Sequence, residues 1–143
     1  NKELTLKIAQ VLQRLGSSRV LVVHGHDGLC ELTVTAPTHV AELRDGRIRE
    51  YDINPQELGF KTGNLDEIRI ESPEESAKII EGIFSCKEQG TARDIALINA
   101  AGAIVVAGIA DDLKEAVELA TETVDSGKAA EKMTQLINFT QPV

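Results

Sequence analysis

The feature that most constrains this chain is the run 95–110, apolar or small on nearly every face, with Asn99 as its single polar side chain. A helix that is apolar all round lies either in the centre of a core or across a membrane. A span needs roughly 20 residues, and this run of 16 is shorter and rich in Ala and Gly. It therefore reads as a buried core helix, and no membrane partner is expected. The rest of the chain must supply its cover.

The flanking patterns say what that cover is. Leu4, Ile8, Val11, Leu12 and Leu15 recur at helical spacing and Gly16 stops them. Val20-Leu21-Val22-Val23 follows, an unalternating run of the kind found in strands buried on both faces. A helix feeding such a strand predicts a parallel α/β sheet. Residues 24–28 are a loop by composition, and 32–35 and 40–43 read as strands. Asp45-Gly46 then predicts a hairpin turn into a strand over 48–53. Asn54-Pro55 and Gly59 to Gly63 are irregular connections, and 65–70 is expected to extend toward a helical block. Ser72-Pro73-Glu74-Glu75 combines an N-cap, a first-turn Pro and a capping-box Glu, with Ile79, Ile80, Ile83 and Phe84 on the buried side. Thr91 and Asp94 repeat the capping pattern before the core helix. A further helix is predicted over 112–124, with Glu115 completing its box, and another from Ser126-Gly127 to about Phe139. The order α, β, several β, α, α, α predicts an α/β or α+β layer architecture, a sheet with a β-hairpin and a closing helical cluster. No repeat or composition shift marks a second domain.

Charge and cysteine content narrow the function. Among 143 residues, 15 Lys and Arg stand against 23 Asp and Glu, a net charge of −8. Nucleic acid and anionic membrane surfaces are therefore not expected partners. The two cysteines, Cys30 and Cys86, are too few for a disulfide scaffold and lack C-x-x-C spacing. No stretch reads as a signal peptide, so a soluble protein of a reducing compartment, the cytoplasm, is expected.

The densest polar constellation is 24–31, His-Gly-His-Asp-Gly-Leu-Cys-Glu, just beyond the carboxyl end of the first strand. Ligands of open α/β sheets bind at that place. Three readings stand open. His24, His26, Cys30 and Glu31 are suitable ligands for a transition metal. The carboxylates Asp27 and Glu31 suit Mg²⁺ beside a phosphate. Alternatively, Gly25 and Gly28 make a turn whose charges are solvated. Elsewhere, Ser126-Gly127-Lys128-Ala129 echoes a P-loop ending, but Glu122 and Ala129 stand where Gly and Ser or Thr are required. Gly59 and Gly63 form no G-x-G-x-x-G. Arg93 and Asp94 read as a helix-terminal charge pair, and no nucleophile elbow is present.

An ordered set of motifs resembles one family. Residues 22–31, V-V-H-G-H-D-G-L-C-E, resemble the V-V-H-G-x-D-G-L-D-E loop of anthranilate phosphoribosyltransferases. Glu42-Leu43 through Tyr51 is similar to that family's E-L-x-D-G-x-I-x-x-Y hairpin, and Pro55 to Gly59 to its P-x-x-x-G turn. Residues 93–101, R-D-I-A-L-I-N-A-A, resemble its R-D-x-V-L-L-N-A-A helix. Ala107-Gly108, Leu113-Lys114-Glu115-Ala116-Val117 and Asp125-Ser126-Gly127-Lys128-Ala129 follow in the same order.

The resemblance implies the carboxyl-terminal part of a nucleoside phosphorylase/phosphoribosyltransferase-like α/β domain with a mixed sheet, a β-hairpin and a closing helical cluster, a partial large domain over 1–143. It implies a Mg²⁺-dependent pentosyltransferase, moving phosphoribosyl from phosphoribosyl pyrophosphate to anthranilate in tryptophan biosynthesis. The family's metal carboxylates end its loop. Glu31 matches the Glu, whereas Cys30 occupies the Asp position, where a neutral thiol is a poor Mg²⁺ ligand; Asp27 is near enough to compensate. Residues 71–77 replace a Gly-Gly-Asp-x-x-x-Asn-Ala type sequence. The family's G-T-G-G-D phosphate loop, its N-x-S and K-H-G-N motifs, its anthranilate-contacting arginine and its homodimer-forming helical domain would all precede Asn1. The chain is thus expected to be a fragment, inactive in isolation. A paralogue of the same fold, with another acceptor or a non-catalytic binding role, is the alternative.

Overall fold

In the computed structural model, residues 2–140 are described. A 3-10 turn, Lys2–Leu4, leads into α1 (Thr5–Arg14), followed by β1 (Val20–Gly25), β2 (Thr38–Arg44) and β3 (Arg47–Ile53). Two more 3-10 turns, Pro55–Leu58 and Leu65–Ile68, connect to α2 (Pro73–Phe84), α3 (Thr91–Val106), α4 (Leu113–Asp125) and α5 (Lys128–Thr140). Asp45 and Gly46, at φ 52 and 73, make the predicted hairpin turn and set Arg44 opposite Arg47. That register carries Val40 to Tyr51 and His39 to Asp52.

The sheet is antiparallel throughout, in the order β1-β2-β3, so the parallel expectation for β1 does not hold within this chain. A strap without a helix joins β1 to β2, and such a return sets the strands side by side in opposite directions. β1 is also only half-buried, and its outer edge has no strand partner among the described residues. Double-sided burial belongs to β2, whose consecutive Val40 and Ala41 are both fully buried although neighbouring residues face opposite ways.

The predicted strand over 32–35 is an irregular strap instead. Its β-branched residues invite pairing, but its backbone groups have other partners. The Leu32 N–H and C=O bond the Asn99 side chain, the Thr33 N–H bonds Thr38 Oγ1, and the Val34 C=O accepts from Gly63. Residues 65–68 form a 3-10 turn capped by Asn64 rather than an extended segment.

The apolar helix is central, as its composition demands. Ile95 and Ile98 of α3 pack with Leu32, Val34, Val40 and Ile53 against the sheet. Leu97 joins Ile83, Ala120 and Val124, while Ala101 and Val105 meet Ala110 and Ala116 of the following segment. Gly102 lets Leu32 come close to α3, since a Cβ there would lie 2.9 Å from Leu32 Cδ1 and push it aside. α1 covers the strands from the other side. Both predicted capping boxes form with a one-residue slip. Ser72 Oγ and Asp112 Oδ1 accept from the N–H groups of Glu75 and Glu115. The two glutamates, however, reach back to the N–H of Glu71 and Asp111, one residue before each cap. At α3 the cap is Gly90 without a side-chain bond; Thr91 instead donates to Glu67.

Helix α2 ends on the doubly bonded motif common at helix C-termini, with Cys86 N–H to Ile83 O at 3.1 Å and Lys87 N–H to Gly82 O at 2.9 Å. Its left-handed position is occupied by Cys86 at φ 59, where α3 uses Gly108 at φ 72.

Candidate functional site

The strap between β1 and β2 is built from its own polar groups. Gly25 N–H bonds Leu29 O at 2.8 Å, Gly28 N–H bonds Gly25 O at 3.0 Å, and His26 N–H bonds Pro37 O at 2.9 Å. Asp27 is its staple. Oδ1 accepts from the Leu29 N–H at 3.0 Å, and Oδ2 accepts from Thr33 Oγ1 at 2.7 Å and from Thr35 Oγ1. Burial pushes the Asp27 carboxyl upward, but the hydrogen bonds from Thr35, Thr33 and Leu29 outweigh it and set it below its ordinary value. The glycine at 25 is part of this design, since a Cβ there would collide with the Asp27 carboxylate.

The far end of the strap is fixed from α3. Asn99 Oδ1 accepts from the Leu32 N–H at 3.0 Å and its Nδ2 donates to the Leu32 C=O at 2.7 Å. A third bond, Nδ2 to Ile95 O at 2.9 Å, holds the amide against its own helix. Between these two anchors lie Cys30 and Glu31, both exposed. Neither side chain makes a hydrogen bond or ion pair to a described residue. Cys30 lines a cleft of about 500 Å³ along β1. Glu31 lines another of about 390 Å³, walled by Ile68, Ile79, Ile80, Ala92 and Ile95.

The predicted ligands of a transition metal are not brought together. His24 Nδ1 lies 2.7 Å from its neighbour's carbonyl at Gly25, and His26 faces Asp52 at 3.4 Å. Among the described residues, no three His, Cys, Asp or Glu side chains converge as a metal-ligand set. His39, buried on β2, engages two carboxylates, with Nδ1 2.8 Å from Asp52 Oδ1 and Nε2 3.2 Å from Glu50 Oε1. The hydrogen bond from His39 lowers the Asp52 pKa against a small burial effect, with Lys2 and His26 adding attraction. Sequence reading passed over His39, although the Asp45-Gly46 register already places it opposite Asp52.

Arg93 and Asp94 do not form the expected pair. Arg93 turns to the end of α4, where Nη2 donates to Asp125 Oδ1 at 2.8 Å. Burial raises the Asp94 pKa despite the opposing charges of Arg93 and Lys61. Ser126-Gly127 serves as the joint between α4 and α5.

Mg²⁺ fits this donor set through Glu31 alone. A hard cation takes one or two carboxylates and fills its remaining positions with substrate phosphate and water. The Cys30 thiol is a poor donor for such an ion, and the Asp27 oxygens are engaged within the strap.

The chain can be compared with known proteins at this point. It is 46% identical over 139 residues to an anthranilate phosphoribosyltransferase of Desulfosudis oleivorans, covering 97% of this chain and 41% of that protein. The crystal structure of anthranilate phosphoribosyltransferase from Thermus thermophilus superposes with TM-score 0.87 at 32% identity, over 97% of this chain and 40% of that one. The Saccharomyces cerevisiae enzyme in complex with PRPP and Mg gives TM-score 0.87 over 96% of this chain and 40% of that one, at 24% identity, a likeness of fold. The chain thus spans about two-fifths of the length of these proteins. The glycosyl transferase family, a/b domain, matches residues 1–130, and the chain belongs to that family.

Proposed function

We propose that residues 1–143 are the carboxyl-terminal part of the large α/β domain of an anthranilate phosphoribosyltransferase. The native-length protein then transfers phosphoribosyl from phosphoribosyl pyrophosphate to the amine of anthranilate, with pyrophosphate leaving. One observation carries the reading: Glu31 has no side-chain partner among the described residues, on a strap that Asp27 and Asn99 fix from both sides. The Desulfosudis and Thermus relatives, which bear this activity as their name, support it.

In this reading Asp27 and Asn99 position the strap, and Glu31 holds Mg²⁺. The ion, when bound, offsets charge on the pyrophosphate as the glycosidic bond breaks. The unpaired edge of β1 supports a domain that continues upstream. β2 already occupies one side of β1, so a strand preceding α1 and crossing over right-handedly falls on the open side. Phosphate and anthranilate contacts belong to that continuation, as does the helical domain of a cytoplasmic homodimer. The 143-residue chain alone is accordingly inactive.

Cys30, standing where the family pattern has Asp, favours one second reading: a paralogue with another acceptor amine. Glu31→Gln in the native-length protein tests the metal role. Turnover at limiting Mg²⁺ should fall about a hundredfold. An unchanged rate and an unchanged Mg²⁺ dependence would remove Glu31 from the site. Transfer to a different acceptor, with none to anthranilate, would favour the paralogue.

A further inference from the structure

Outside that site, β2 and β3 close two carboxylates around one histidine. His39 lies opposite Asp52 in the hairpin register, and Glu50, two residues before Asp52, faces the same side of the sheet. The ring reaches both, with Nδ1 2.8 Å from Asp52 Oδ1 and Nε2 3.2 Å from Glu50 Oε1. The His39 side chain is 7% exposed, whereas both carboxylates are half-exposed. Other charged groups gather at Asp52. Lys2 Nζ, from the turn before α1, stands 3.7 Å from Oδ1, and His26 Nε2 stands 3.4 Å from Oδ2. Glu3 shares the turn with Lys2. His24, opposite His39 on β1, has Nδ1 2.7 Å from the Gly25 carbonyl.

A carboxylate only accepts hydrogen bonds, so each of the two contacts needs a proton on the ring. Neutral imidazole carries one N–H and imidazolium carries two. In a neutral ring, one buried nitrogen lone pair would face a carboxylate oxygen, an unpaired contact that burial makes costly. Asp52 is ionised, its pKa lowered chiefly by the hydrogen bond from His39. Charge gives the same answer, since Lys2 and an imidazolium together balance Asp52 and Glu50. We propose that His39 is held as an imidazolium ion, and that Asp52, oriented by it, latches His26, the first residue of the strap, to the hairpin. The charge-assisted bond from His39 fixes the Asp52 carboxylate and leaves Oδ2 facing His26. Loss of the second ring proton would take the donor from Asp52 or Glu50. The strap would then keep its Asp27 and Asn99 anchors and lose this footing at its start. The latch stands whether or not Glu31 holds a metal.

The test uses the native-length protein with nitrogen-15 in its histidine rings, held at about pH 7.5, where an ordinary histidine is about nine-tenths neutral. The nitrogen spectrum should show both His39 ring nitrogens protonated, the signals being assigned by their loss in His39→Gln. Asp52→Asn is the informative variant, because its side chain is half-exposed and its replacement leaves the core intact. The His39 ring should then show the neutral form. Amide hydrogen exchange over residues 24–31, read by mass spectrometry, should rise severalfold while α4 is unmoved. A His39 ring with a single N–H in the unmodified protein would overturn the proposal. So would an Asp52→Asn variant that leaves either the ring or the strap exchange unchanged.

Discussion

The strap between β1 and β2 and the opposite side of β1 meet along one strand, yet they are built on opposite principles. On the strap, Asp27 accepts three hydrogen bonds from its neighbours and Asn99 takes both backbone groups of Leu32. On the other side, Leu4, Ile8, Val11 and Leu15 lie exposed along α1, and the edge of β1 has no partner among the described residues. The strap's hydrogen bonds are supplied by this chain, whereas the α1–β1 side presents an exposed apolar surface. Buried polar groups left without partners are costly; exposed apolar groups cost far less until something can bind them. The strap's polar groups are therefore satisfied within this chain, and the apolar side is the surface on which the proposed upstream part of the domain would pack.

Four substitutions sharpen that contrast. Asn99→Leu strands the N–H and C=O of the buried Leu32 and should cost about 3 kcal/mol in urea unfolding; a loss below about 1 kcal/mol would mean the strap finds other partners. Asp27→Asn trades charge-assisted acceptors for a weaker amide and should cost about 1.5 kcal/mol near neutral pH. The sign of its pH dependence follows from the lowered Asp27 pKa, below the ordinary 3.8. The contribution is present above the unfolded value and is lost as pH falls through the folded one. Acid titration of stability should thus be shallower in Asp27→Asn than in the parent, and parallel curves would remove the carboxylate from the account. Cys86→Gly should stabilise the chain by about 1 kcal/mol, because glycine adopts the left-handed conformation without the Cβ penalty; the thermal midpoint reads this. Leu15→Lys, at a position 77% exposed, should shift stability by less than about 0.5 kcal/mol. A large loss there would show that the chain already closes this surface itself.

What could be read from sequence divides along the same line. Local signals were legible. Asp45-Gly46 named its turn, Ser72 and Asp112 named their caps, and the run 95–110 pointed to the central helix, although that helix ends at Val106 and leaves Ile109 exposed. Long-range partners of polar residues were not. Asn99 stood out as the single polar side chain in an apolar helix, but nothing local ties it to Leu32, 67 residues away. The strap was misread as a strand because Thr33 and Val34 favour extended backbone, while side chains from elsewhere take up their hydrogen bonds. Arg93 was assigned its neighbour Asp94, yet its partner Asp125 lies 32 positions further on. The turn at Cys86 carried no glycine to announce it. The motif singled out Glu31, and the structure places it exposed on the strap between Asp27 and Leu32.

The most direct test of the central claim compares the 143-residue chain with its native-length protein in one assay, anthranilate-dependent release of pyrophosphate from phosphoribosyl pyrophosphate with Mg²⁺ present. The account predicts turnover by the native-length protein and none by the chain alone, even though circular dichroism shows the chain folded. Turnover by the isolated chain at a comparable rate would contradict it, because the chain would then hold a complete site.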